Sequence, residues 1–173
     1  MLVIGKAIAG GLPAAAYGIT AEISERIQIE LETSDVGGVG GTLAGNALSL
    51  AAMRATLLEV LTEEAFQVMF ARAEQWTDGV AAAIGDAELP WHVTRLGARA
   101  EYLFGPTRPR NGREAAAMDD FALQQLTHLY ALNRGILLTP FHNMALMSPA
   151  TSERDVDLHT AVFGEMAAEL TAH

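Results

Sequence analysis

Gly5-Lys6-Ala7-Ile8-Ala9-Gly10-Gly11-Leu12-Pro13 sets one lysine between the short apolar run Met1 to Ile4 and a glycine pair followed by a proline. This pattern predicts a strand that ends at a loop and aims an amine toward a cleft. A lysine in such a place, among small residues, is compatible with a partly buried amine. Burial lowers a lysine pKa by up to ~3–5 units and leaves the free base that attacks carbonyls. Such an amine forms a Schiff base with an aldehyde. The alternative is an exposed loop lysine.

Composition narrows the classes of function around this stretch. At 173 residues the chain is one domain, or one small domain plus a piece of another. Half of its residues are hydrophobic and 18% are charged, which predicts a packed core and not a disordered tail. A net charge of −10 argues against nucleic-acid binding, and no basic patch interleaved with aromatics offsets it. The absence of cysteine excludes disulfides and thiolate metal sites and fits a reducing compartment. No apolar run approaches the ~18 residues of a membrane span. Gly10, Gly11 and Pro13 break the apolar helix that a signal peptide needs, so a cytoplasmic location is expected.

Along the chain, Met1–Ile4 and Ala15–Thr20 read as short strands and Ala21–Arg26 as a short helix. Residues 33–41 form a glycine-rich loop. A helix is expected from Asn46, its N-cap, with Leu50, Met53, Leu57 and Leu61 on one face. A second begins near Thr62, carries Phe66, Phe70, Ala73, Thr77, Val80 and Ile84 on its apolar face, and ends at Gly85. Val93–Leu96 and Ala100–Phe104 suggest a hairpin around Gly97. Residues 105–113 read as a loop, Glu114–Asn133 as one helix stopped by Gly135, and Ile136–Leu138 and Ala145–Met147 as strands. Ser152-x-x-Asp155 opens the last helix, with Val156, His159, Phe163, Met166 and Leu170 on one face. The sum is a mixed α and β chain with no internal repeat, and its N-terminal piece has too few elements to enclose a core.

Two motifs in order carry a resemblance. Gly5-Lys6 with Gly10-Gly11-x-Pro13 and Ala16-Tyr17-Gly18 resembles the lysine segment of the class III aminotransferases, pyridoxal-phosphate enzymes of fold type I. Gly41-Thr42-Leu43-Ala44-Gly45-Asn46 resembles that family's Gly-Thr-x-x-Gly-Asn segment, and Asn133-Arg134-Gly135-Ile136-Leu137-Leu138-Thr139-Pro140 a strand of its last domain. The resemblance runs over essentially the whole chain and places Met1 a few residues before the cofactor lysine. It therefore covers the C-terminal portion of a family enzyme.

The resemblance implies an α/β fold plus an α+β unit: residues 1–45 as the end of the cofactor-binding large domain, 46–61 as a linking helix, and 62–173 as a small α+β domain. It makes Lys6 the residue that holds pyridoxal 5′-phosphate as a Schiff base and later moves a proton. Thr42 becomes the ligand of the cofactor phosphate, reaching across a homodimer to the other subunit's site. The implied reaction is transfer of an amino group between an amine or amino acid and a keto acid or aldehyde. Two alternatives stay open: a 1,2-aminomutase acting on an amino aldehyde, and a chain that is non-catalytic alone.

The chain also departs from the family pattern. Ala47 stands where a proline usually follows Gly-Asn, and Ile19 where many members have a second glycine. No arginine lies in 138–143, where members acting on simple amino or keto acids often clamp a carboxylate. Phe141, His142 and Asn143 are the candidate substrate-pocket residues, with Arg99 or Arg134 as substitutes for the clamp. Asp35 is not promoted to the aspartate that pairs with the cofactor ring, which in family members lies upstream. The remaining histidines lack ligand spacing, so no metal is expected. Asp119-Asp120 reads as a structural pair at a helix start, and Arg108, Arg110 and Arg113 as a solvated basic loop.

Overall fold

The computed structural model describes residues 1–34, 39–139 and 142–172. Its contacts divide the chain into two compact units, Met1–Thr62 and Glu63–His173.

In the first unit, β1 (Leu2–Gly5) pairs antiparallel with β2 (Ala15–Gly18), in a register that sets Gly5 opposite Ala15 and Leu2 opposite Gly18. Lys6 follows β1 directly and leads into a 3-10 turn over Ala7–Ala9. All eight residues of the two strands are exposed. Helix α1 (Ala21–Thr33) is capped by Thr20, whose hydroxyl accepts from the Ile23 N–H at 3.3 Å. It runs well beyond the expected Arg26. The Thr33 hydroxyl bonds back to the Ile29 carbonyl at 3.1 Å, so the last turn takes a residue that composition assigns to the glycine loop.

Helix α2 (Ala47–Ala55) starts at Asn46 as expected, because the Asn46 side chain accepts from the Ser49 N–H at 2.9 Å. The helix is not uniform to Leu61. Thr56–Val60 forms a π-helical turn closed by Leu61 N–H donating to the Thr56 carbonyl at 2.9 Å. The expected apolar face is not buried either, since Leu50 and Leu57 are exposed.

The second unit packs helices against a small sheet. Helix α3 (Glu63–Asp86) lies against α6 (Glu153–Thr171) and against β3 (His92–Leu96) and β4 (Arg99–Leu103). The sheet order is β3-β4-β5, all antiparallel, with β5 covering Met144–Leu146 and Ala100 opposite Ala145. The hairpin turns at Gly97, whose φ of 59° suits a residue without a side chain. Trp76, Val80, Trp91, Tyr102, Val156, Phe163 and Met166 belong to the core. Its aromatic part is close packed, with the Trp91 and Tyr102 rings stacked at 6.1 Å and Tyr102 and Phe163 tilted at 4.9 Å.

Three sequence expectations change here. The buried face of α3 is Met69, Ala73, Trp76, Val80 and Ile84, whereas Phe66 is partly outside. The large indole of Trp76, 2% exposed, sets the helix rotation where the 3-4 spacing of phenylalanines does not. The single helix expected over 114–133 is two, α4 (Gly112–Ala116) and α5 (Phe121–Leu132). Asn111 caps the first, and Asp120, in extended conformation, caps the second by accepting from the Leu123 N–H at 3.0 Å. Aspartate competes for backbone N–H groups and so breaks the chain into two helices there.

The third change is at Ile136–Leu138, which forms no strand. Gly135, at φ 83°, closes α5, and the Ile136 N–H donates to the Ala131 carbonyl at 3.0 Å. That donor is spent on the helix end, and β4 already carries neighbours on both edges. The last helix matches its signature fully. Ser152 and Asp155 form a reciprocal capping box, and Val156, His159, Phe163 and Met166 are buried. Among the described residues no helix is long and apolar enough to cross a membrane.

Candidate functional site

Lys6 is the only lysine of the chain. Its backbone sits at φ 61° and ψ −83°, close to the strained γ-turn region near φ of about +75° and ψ of about −65°. Holding a residue with a Cβ there costs on the order of 1–3 kcal/mol, and such strain concentrates at functional positions. The side chain is exposed, so the expectation of a partly buried amine is not met within the described residues. Elements of this unit alone do not enclose it: β1 and β2 are open, and among the described residues only Ile8 and Ala9 are buried directly beside it.

Thr42 lies in the turn before α2 and is exposed. It does not cap the helix, because Asn46 does: Nδ2 donates to the Leu43 carbonyl at 3.0 Å and to Ser49 Oγ at 3.1 Å, while Oδ1 accepts from Ser49 N–H. Asn46 is therefore structural, as its position in the sequence suggests. The Thr42 hydroxyl makes no hydrogen bond among the described residues, which leaves it available beside a helix N-terminus that favours anions. Gly41 has open space where a Cβ would point, and Gly45, at φ 69°, does too. No hydrogen bond joins Lys6 and Thr42 among the described residues.

An amine presented on a strained turn and a free hydroxyl near a helix start match the chemistry of pyridoxal phosphate, an aldehyde with a phosphate. Asp35 lies outside the described residues. So does Phe141 of the expected substrate pocket. His142 and Asn143 belong to the second unit, where His142 is exposed and its N–H donates to the Thr139 carbonyl at 3.3 Å. Asn143 is buried, and its carbonyl accepts from the Tyr102 N–H at 3.2 Å.

Neither substitute arginine is free for a carboxylate. Arg99 pairs with Glu101 at 2.8 Å. Arg134 lies 3.5 Å above the Tyr130 ring and 3.5 Å from Glu165. In the basic loop, Arg110 grips Glu114 through two nitrogens at 2.8 and 3.0 Å and holds that carboxyl below its usual range. No cluster of metal-ligating side chains occurs among the described residues.

One property of the second unit follows from its packing. His159 is buried between the rings of Trp76, at 5.2 Å, and Phe163, at 6.1 Å, and burial pushes its pKa down to about 4. Its spacing on α6 marks it as a core position, while its titration depends on packing that the sequence does not display.

Comparison with known proteins bears on the chain as a whole. No family model matches the chain. A glutamate-1-semialdehyde 2,1-aminomutase of Leptothrix cholodnii is 31% identical over 166 residues, covering 92% of this chain and 36% of that protein. A glutamate-1-semialdehyde 2,1-aminomutase 2 of Geobacillus thermodenitrificans is 32% identical over 170 residues, covering 96% of this chain and 38% of that protein. Among solved structures, a glutamate-1-semialdehyde-aminomutase from Pseudomonas aeruginosa PAO1 in complex with PMP superposes with a TM-score of 0.90 at 50% identity, over 97% of this chain and 38% of that one. A β-phenylalanine aminotransferase from Variovorax paradoxus, at 24% identity and a TM-score of 0.83, shares the fold. The chain thus spans 36% to 38% of the length of these relatives, and it belongs to the class III, fold type I family of pyridoxal-phosphate aminotransferases and aminomutases, matching their C-terminal portion.

Proposed function

We propose that this chain contributes the cofactor lysine and the small domain of a class III amino-group-transferring enzyme that uses pyridoxal 5′-phosphate. In this assignment residues 1–45 are the end of the cofactor-binding domain, 46–61 the link, and 62–173 the small domain. Lys6 holds the cofactor and is the catalytic residue. The observation that carries the reading is the sole lysine of the chain held at positive φ directly after a strand. A strained, over-determined backbone is what a reactive side chain needs if its amine is to meet a carbonyl in one orientation.

The cofactor supplies an electron sink for the substrate α-carbon. Lys6 Nζ holds it and then moves a proton to and from that carbon. Thr42 Oγ1, free of any capping duty, hydrogen-bonds the phosphate oxygens, helped by the N-terminus of α2. In a homodimer this threonine serves the neighbouring subunit's cofactor. The proposed substrate contacts are Phe141, His142 and Asn143. The location is cytoplasmic.

A second reading within the family is 1,2-aminomutase chemistry on an amino aldehyde, and the names of the curated relatives favour it. Both readings use the same lysine, so one experiment tests their common ground. Titration of the chain with pyridoxal phosphate is expected to produce a shifted absorbance band that Lys6→Ala abolishes. No band at saturating cofactor would show that the chain alone does not bind it. Supplying an amine donor with pyruvate then separates the two. Alanine accumulates if the amino group leaves, and none forms if the enzyme only isomerises.

A further inference from the structure

The segment that carries Lys6 is held from below at two separate points. Ile8 and Ala9, in the 3-10 turn just after the lysine, are 8% and 1% exposed. They pack against α2 and the π-helical turn. At Gly10, with φ 59° that favours glycine, a Cβ would stand 3.0 Å from Thr56 Oγ1, so the chain passes close over the threonine. Thr56 is 8% exposed and is the one buried polar side chain of the first unit among the described residues. It also opens the π-helical turn. Its N–H keeps the bonds to the Ala52 and Met53 carbonyls, while its own carbonyl accepts from Leu61, five residues on. Single π turns of this kind recur at functional sites.

The second hold is at the far end of the same loop. Ser49 Oγ donates to the Pro13 carbonyl at 3.3 Å. Ser49 is itself fixed, because its N–H donates to Asn46 Oδ1 at 2.9 Å and its Oγ accepts from Asn46 Nδ2 at 3.1 Å. Helix α2 thus bonds the loop that follows Lys6 at Pro13, and the π turn that continues it lies close beneath Gly10.

We propose that Thr56 and Ser49 are positioning residues that force Lys6 into its positive-φ conformation and so aim its amine. The inference rests on the reading of Lys6 as the cofactor lysine, but it makes a statement about the backbone that is measurable without cofactor. A lysine at positive φ followed by a free loop would relax to negative φ. Fixing the next four residues against a helix removes that escape.

The test uses the full chain as wild type, Thr56→Ile, Thr56→Ser and Ser49→Ala. The first readout is the one-bond Cα–Hα coupling of Lys6 by NMR, which depends on the sign of φ. The second is trapping of pyridoxal phosphate on Lys6 by borohydride, located by peptide mass. Thr56→Ile drives a methyl toward Gly10. It is expected to move the Lys6 coupling to the value of a negative-φ residue and to lower trapping about tenfold or more. Ser49→Ala should shift both readouts in the same direction, and Thr56→Ser, which keeps the hydroxyl, should restore both. Unchanged coupling in Thr56→Ile and in Ser49→Ala overturns the proposal whatever the trapping shows. If Thr56→Ile fails to fold, the coupling in Ser49→Ala, which removes one surface hydroxyl, decides alone. Absence of trapping on the wild type shows that the chain alone does not hold the cofactor, and the coupling result then decides the proposal by itself.

Discussion

His159 shows how one buried side chain ties packing to pH. Its folded-state pKa, about 4, lies below the usual 6.5 because the ring has lost its water. A folded value below the unfolded one means that the unfolded chain takes the proton first. The stability associated with a neutral His159 is therefore intact above pH 6.5 and is lost as the pH falls through 4. The size is on the order of 3 kcal/mol. Urea titrations at pH 7 and pH 4.5 should show this loss in the wild type and a much flatter response in His159→Phe. An equal pH response in both proteins would place the acid sensitivity elsewhere. Lys6 is the contrasting case, since its conformation and not its burial distinguishes it. The residue was legible from its neighbours, Gly10, Gly11 and Pro13, but its backbone strain was not, because φ depends on what lies under the turn.

At the level of elements, the crossing of α3 and α6 depends on one missing side chain. A Cβ on Gly79 would stand 2.6 Å from Thr160 Cγ2 and 2.8 Å from its Oγ1. Threonine is stiff at χ1 and has little room to yield. Gly79→Ala should gain about 1 kcal/mol of helix propensity and lose about 1–3 kcal/mol to overpacking, a net destabilisation. In Thr160→Ala the clash is gone, so the same glycine substitution becomes neutral or stabilising. A double-mutant cycle by thermal unfolding reads the change of sign directly, and additive effects would exclude the contact. Elements also show where local sequence rules worked. The Ser152–Asp155 capping box and the Asn46 cap are short-range features, so four residues of sequence specify each of them. The break between α4 and α5 was missed because Asp119-Asp120 reads equally well as a first-turn pair, and only the extended backbone at Asp120 makes it a cap.

For the whole molecule, the two units differ in how much they bury. The core residues of Glu63–His173 form one continuous aromatic and aliphatic cluster. Met1–Thr62 leaves Leu2, Val3, Leu43, Leu48 and Leu58 each at least 60% exposed. Apolar exposure of that extent predicts self-association of this unit. Hydrogen exchange of the chain alone should show slow amides in α3, β4 and α6 and fast exchange across β1, β2 and α1. Uniform protection would mean that the first unit finds cover by self-association, which light scattering across a dilution series would register. Binding of pyridoxal phosphate should slow exchange selectively around residues 5–12 if Lys6 holds it.

The sequence by itself determined the family and most helix starts, and it singles out the lysine and the glycine-threonine segment. Each of these is written in a few adjacent residues whose chemistry needs no distant partner. The tertiary structure decided the rotation of α3, the fate of Ile136–Leu138 and the strained geometry of Lys6. Those depend on which surfaces meet: the Trp76 indole in the core, the occupied edges of β4, and Thr56 and Ser49 beneath the lysine turn. Spacing along a chain reports local backbone preference, whereas burial and strain arise only when residues far apart in sequence compete for the same volume.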